Sequence, residues 1–154
     1  MDNLAVLDTG VTGHYLTLDS LCDNKQQAVH TISIQMPNGE IITPTHTALL
    51  SHQDLPLQAQ KGHIFPGLNK ALLSIGKLCD NGCEATFNDK SVRILSKWSG
   101  KFIMKGTRDP HTNLYMLNFT QQKKLMTEST TPDEYFAVPG AHCKIFVRSC
   151  GFRH

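Results

Sequence analysis

The 154-residue chain has no apolar run approaching the roughly 20 residues that a membrane helix needs, which argues against a membrane-spanning segment. It has no strong excess of either charge. The formal net charge is +2, so no large basic surface is implied and electrostatics does not demand a nucleic-acid partner. Its first residues, MDNLAVLDTG, contain no basic stretch before the apolar one and are broken by Asp2 and Asp8. They therefore do not read as a signal peptide, and the expected compartment is cytoplasmic. An even set of cysteines is lacking too. The five stand at 22, 79, 83, 143 and 150, and an odd count without an export signal reads as thiols rather than a disulfide frame. There is no internal repeat and no low-complexity tract.

What is present suits a soluble globular protein: 40% apolar and 18% charged residues, with 11 Gly and 7 Pro. Residues 4–7 form a short apolar strand that runs into Asp8, Thr9 and Gly10. TISIQMPNGEIITPT (31–45) places two Ile- and Thr-rich runs around Pro37-Asn38-Gly39. Asn-Gly between such runs predicts a hairpin in which both residues accept positive φ. His46 to Leu50 is expected to extend its second strand. HIFPGL (63–68) reads as a strand ended by Pro-Gly. In LNKALLSIGKLCDNG (68–82), Leu68, Leu72, Ile75 and Leu78 or Cys79 fall at helical spacing, with Gly82 at the capping position. CEATFND and KSVRILS predict a second hairpin turning near Asn88-Asp89, followed by strands in KFIMKG and NLYMLNF. After Phe119 the pattern decays, and QQKKLMTESTTPDE reads as a linker or disordered stretch. The residues alone thus indicate an all-β body, a small barrel or sandwich of about 100 residues with one helix late in the domain and a weakly structured tail.

The opening stretch carries the chemistry. The strand delivers the Asp8 carboxylate to the rim of an apolar core. Thr9 adds a hydroxyl, and Gly10 lets the chain turn with its N–H close to the carboxylate. The bare tripeptide also fits a strand ending in an ordinary Asx turn; read as chemistry, one carboxylate is half of an acid–base machine, and two-fold symmetry would supply the other half. Two carboxylates about 3 Å apart cannot both ionise, so they share a proton. One can take a proton from water while the other donates to a carbonyl oxygen, which hydrolyses a peptide bond.

The segment LDTGVTGHYL resembles the Asp-(Thr/Ser)-Gly-Ala-Thr-x-His opening of the retropepsin-like protease in copia-type LTR retrotransposon polyproteins. The likeness continues through IQMPNGEIITPTHTALL, LPLQAQKGHIFPGL and LLSIGKLCDNGCEATFNDKSVRIL. KGTRDPHTNLYMLNF is similar to the stretch that leads from the protease towards the integrase. The resemblance covers roughly residues 4 to 119 and implies a small closed acid-protease barrel with one short C-terminal helix. Residues 1–105 would be the protease domain and 106–154 a partly disordered, polyprotein-derived extension. Asp8, Thr9 and Gly10 would be the catalytic motif, shared across a homodimer. Met36, Pro37, Asn38 and Gly39 would be the flap over a peptide or polyprotein substrate. Leu72, Leu73, Ile75 and Gly76 would lie where the family has its apolar-apolar-Gly turn and helix beneath the catalytic loop. No cofactor, metal, membrane or direct nucleic-acid contact is implied. The chain lacks a zinc knuckle and the integrase and reverse transcriptase motifs, which marks it as one piece of such a polyprotein. The alternative is a catalytically degenerate relic, or an interaction module with the same fold.

One residue departs from the family pattern. Val11 replaces a small Ala after the motif glycine and is expected to crowd the loop. His14 belongs to the loop after the motif rather than to the chemistry. His30, His46, His52 and His63 read as scattered surface histidines, and Trp98 as a partly buried strand-end aromatic. Cys79 and Cys83, spaced C-x3-C, have only His142, Cys143, Cys150 and His154 as late companions for zinc, so idle thiols are the favoured reading.

Overall fold

Leu4–Asp8 forms strand β1, in which Ala5, Val6 and Leu7 are all buried. Burial at consecutive positions requires cover on both faces, and β1 lies inside the sheet. The computed structural model describes residues 4–29 and 32–118. Over these residues the chain is all-β with two short helices.

On one side β1 pairs in parallel with β8 (Ala71–Ser74), in a register that sets Asp8 opposite Ser74. On the other it pairs antiparallel with β12 (Tyr115–Asn118). Parallel neighbours need a crossover. Here the crossover holds β2 (His14–Leu16), β3 (Cys22–Gln27), the small hairpin β4 (Ile34–Gln35) and β5 (Ile41–Ile42), β6 (His46–Leu50), α1 (Leu57–Gln60) and β7 (Lys61–Ile64). After β8 come α2 (Ile75–Asp80), β9 (Cys83–Phe87), β10 (Ser91–Ser96) and β11 (Phe102–Arg108). The ten-stranded sheet runs β3-β6-β7-β2-β8-β1-β12-β11-β10-β9, while β4 and β5 form a two-stranded sheet of their own. The polar, mostly exposed β3 (CDNKQQ) suits the end of a sheet.

The helical spacing read over 68–82 is only half realised. Ala71–Ser74 is a strand, and the helix begins at Ile75. Leu73 enters the main core, whereas Leu72 packs on a second cluster. That is the two-sided alternation of a strand, and a short apolar run satisfies either period. Ser74 makes the switch by accepting the Lys77 N–H at 3.0 Å as an N-cap. Gly82, at φ +93°, follows the Asn81 C-cap in the left-handed region. There are two helices rather than one. The single turn of α1 is too short to leave a period in the sequence, though it buries Ala59 completely. His46–Leu50 does not extend the hairpin either. It is a separate strand between β3 and β7.

The main core joins Ala5, Leu7, Leu16, Leu73, Ile75 and Leu78 to Val92, Ile94, Met104 and Leu117. Residue 105 falls inside β11, and β12 lies between β1 and β11, so residues 106–108 and 115–118 belong to the same sheet as Asp8. The stretch read as a linker, and His142, Cys143, Cys150 and His154, lie outside the described residues.

At Gly106, β11 has no room for a side chain beside β12. A Cβ there would press on the Met116 carbonyl and stand 3.0 Å from Val92 Cγ1. Gly106→Ala is expected to lower stability by about 1–3 kcal/mol, the scale of overpacking in a filled core. Urea denaturation followed by circular dichroism measures it.

Candidate active site

Asp8 is the last residue of β1 and is half-buried, while Thr9 and Gly10 after it are exposed. The Gly10 N–H donates to Asp8 Oδ1 at 2.6 Å, a short charge-assisted bond that fixes one carboxylate oxygen. A Cβ on Gly10 would stand 3.2 Å from the same oxygen, so the turn is tight enough to favour glycine. The Thr9 hydroxyl has no hydrogen-bond partner among the described residues.

The loop beyond Asp8 is held from beneath. Ser74, opposite Asp8 in the parallel register, donates its hydroxyl to the Val11 carbonyl at 2.7 Å and accepts the Lys77 N–H. Its own N–H donates to His14 Nδ1 at 3.0 Å. His14 Nε2 therefore carries the ring proton and donates to the Ala59 carbonyl at 2.8 Å. The ring is completely buried, and burial pulls its pKa down to about 4. The Ala59 carbonyl opposes that shift and Lys77 adds to it. His14 is thus a neutral tie between β2, α1 and the β8–α2 junction.

The hairpin is pinned to the same region. Gly39 N–H donates to the Met36 carbonyl at 2.8 Å and Met36 N–H to the Glu40 carbonyl at 2.7 Å. Only Gly39 of the turn has positive φ (+89°). The turn is thus a three-residue connection with a glycine bulge, not the two-residue type in which Asn38 also takes positive φ. Pro37 explains the difference, because its fixed negative φ suits the first central position of a type I turn. Pro37, Asn38 and Gly39 are exposed, while Ile34, Met36 and Ile42 pack on the cluster of Tyr15, Phe65 and Leu68. Val11 packs on that same cluster, so the valine that was expected to crowd the loop is instead one of its apolar anchors.

Asp8 and Thr9 line an open cleft of about 920 Å³, together with Val6, Leu7 and Ile75. Its far wall is Phe87, Asn88 and Asp89 from the β9–β10 turn, with Leu114 and Tyr115 from the start of β12. Met36, Pro37, Asn38 and Gly39 do not line it. The wall is rigid: the Phe87 and Tyr115 rings meet edge to face at 4.7 Å, and the Tyr115 hydroxyl donates to the Asn88 carbonyl at 2.6 Å. Sequence reasoning missed this wall. Its members lie about 80 or more residues beyond Asp8, and only strand pairing brings them alongside.

The remaining residues singled out in the sequence take structural places. Leu73, Ile75 and Gly76 are buried, the first two within the main core. Cys79 and Cys83 are buried thiols, and burial pushes the Cys83 pKa up to about 11. Among the described residues, no three His, Cys, Asp or Glu side chains gather as a metal site, and no helix is long and apolar enough to cross a membrane. His52 is buried rather than a surface residue. Trp98 is 77% exposed, not partly buried, and its ring lies over Gly82. No protein-family model and no curated protein matches the chain.

His14 makes stability pH-dependent. Its folded pKa of about 4 lies below the 6.5 of the unfolded chain, so between these values the unfolded state binds the extra proton. Its contribution is full above pH 6.5 and is lost as the pH falls towards 4, by roughly 3 kcal/mol at the limit. Burial also lowers His52 and His63, which add slope of the same sign. Urea midpoints measured across this range should fall steeply for the wild type and less steeply for His14→Gln.

Proposed function

We propose that the chain is an aspartic endopeptidase of the retropepsin-like kind seen in copia-type retrotransposon polyproteins, acting as a homodimer in a closed acid-protease fold. The observation that carries this reading is the placing of Asp8. Its carboxylate ends a buried strand, is oriented by the Gly10 N–H and opens into a cleft, on a loop clamped by Ser74. That is the preorganisation a general acid–base group requires.

A second copy brings its own Asp8 to within about 3 Å, where the two carboxylates hold one proton between them. The ionised member takes a proton from a bound water, and that water attacks the peptide carbonyl. The protonated member donates to the carbonyl oxygen, and collapse of the tetrahedral intermediate passes a proton to the leaving amine. The exposed Thr9 hydroxyl is free to bond across the two-fold axis. The hairpin tip at Met36, Pro37, Asn38 and Gly39, anchored by its apolar underside beside Val11, is the flap that closes over a bound peptide and excludes water. A second reading, an interaction module with this fold and no chemistry, draws on the same hairpin, because its tip lies outside the lining of the Asp8 cleft.

The purified chain and Asp8→Asn are incubated with a mixed peptide library at several protein concentrations, across pH of about 4 to 7, a range in which loss of the shared proton would show as falling activity. The wild type should cleave, with a rate rising more steeply than the first power of concentration. Asp8→Asn should lose about 10²–10⁴-fold or more, the share of an acid–base group. The acid arm should be cut short by the destabilisation that His14 imposes. Equal cleavage by both proteins, or none by a folded dimer, would remove the enzymatic reading.

A further inference from the structure

We propose that the Asp8 cleft selects its peptide through the β9–β10 turn and the start of β12. An apolar side chain seats against Phe87, Leu114 and Tyr115, and a basic neighbour faces Asp89. The proposal rests on the endopeptidase reading and names the substrate class of that site. The cleft volume, about 920 Å³, lies within the range of ligand-binding clefts. Its walls are largely apolar, and the Phe87–Tyr115 pair makes one of them stiff.

The charged side chains that line the cleft have one sign. Asp8 and Asp89 line the cleft, and no Lys or Arg does. Asp89 is exposed, and its carboxylate has no ion pair among the described residues. Arg108 is close by, but its donors engage backbone carbonyls rather than the Asp89 carboxylate. It donates to the Asn113 and Asp89 carbonyls at 3.3 and 3.4 Å, and its guanidinium lies 5.5 Å from the Tyr115 ring centre. A bound cation beside an apolar group answers this lining, whereas an acidic residue there meets two carboxylates. Leu114 and Tyr115 lie past residue 105, so the stretch that resembles polyprotein sequence beyond the protease supplies part of the recognition surface.

Two peptides test this. Each carries Phe before a non-cleavable hydroxyethylene linkage, one with Arg before the Phe and the other with Glu. Binding is measured by calorimetry at low salt on the wild type, Asp89→Lys and Leu114→Ala. Both substituted positions are exposed, and melting curves check that the variants fold. The wild type should prefer the Arg peptide by about fivefold or more, the scale of an exposed charge pair. Asp89→Lys should reverse the preference, and Leu114→Ala should weaken both peptides by about fivefold. Equal affinities, no binding of either probe, or a preference untouched by Asp89→Lys overturns the proposal. So does a change in sedimentation without a change in peptide affinity, which assigns the cleft to a second copy of the chain. The two readings fail separately. A wild type that binds as described but cuts no ordinary peptide loses the enzymatic reading alone. One that cuts without regard to charge loses this proposal alone.

Discussion

The hydrogen bond from the Ser74 hydroxyl to the Val11 carbonyl is the constraint on which the site depends. A loop leaving a buried strand has peptide groups that need partners, and without them the loop has many conformations. Ser74 meets this need from the one place that is itself fixed, the end of the parallel neighbour of β1. The same residue caps α2 and donates its N–H to His14. One side chain and one peptide group thus tie the Asp8 loop, a helix start and a buried imidazole into a single node. His14 passes the tie on to α1 through the Ala59 carbonyl. The node requires a neutral ring, and its cost appears only in acid.

The two apolar clusters divide the labour around that node. The main core fixes β1 and β8 from one side through Ala5, Leu7 and Leu73. The smaller cluster of Tyr15, Phe65 and Leu68 collects Val11, Leu72 and the underside of the hairpin. Hairpin and loop therefore share one apolar seat, while the Asp8 carboxylate opens into the cleft walled by β12 and the β9–β10 turn. The strand that carries Asp8 lies in the middle of the sheet, with a neighbour on each side, and both contribute to its surroundings.

Much of this is legible in the sequence, wherever a local pattern has a single physical meaning. Four apolar residues ending in Asp-Thr-Gly place a carboxylate at a strand end, and Pro-Asn-Gly between Ile-rich runs makes a hairpin. The misreadings have physical causes. Ala71–Ser74 fits both helical and strand periods, and only its two paired neighbours decide. The three residues of β2 and the polar run of β3 carry too little apolar alternation to register. The roles of Ser74 and His14 rest on bonds spanning 45 to 63 residues, which no local pattern encodes. The cleft wall at Phe87 and Tyr115 is hidden for the same reason. Trp98 is exposed where a partly buried aromatic is expected, because aromatic character alone does not say whether a turn folds inward.

The most direct measurement of the clamp is the Gly10 amide proton in nuclear magnetic resonance spectra of the wild type and Ser74→Ala at neutral pH. A short bond to a carboxylate moves an amide proton strongly downfield. The account predicts a far-downfield Gly10 resonance in the wild type that moves back in Ser74→Ala, with the amides of β9 to β11 unchanged. A Gly10 resonance that is the same in both proteins would contradict it, for the carboxylate would then be positioned without Ser74.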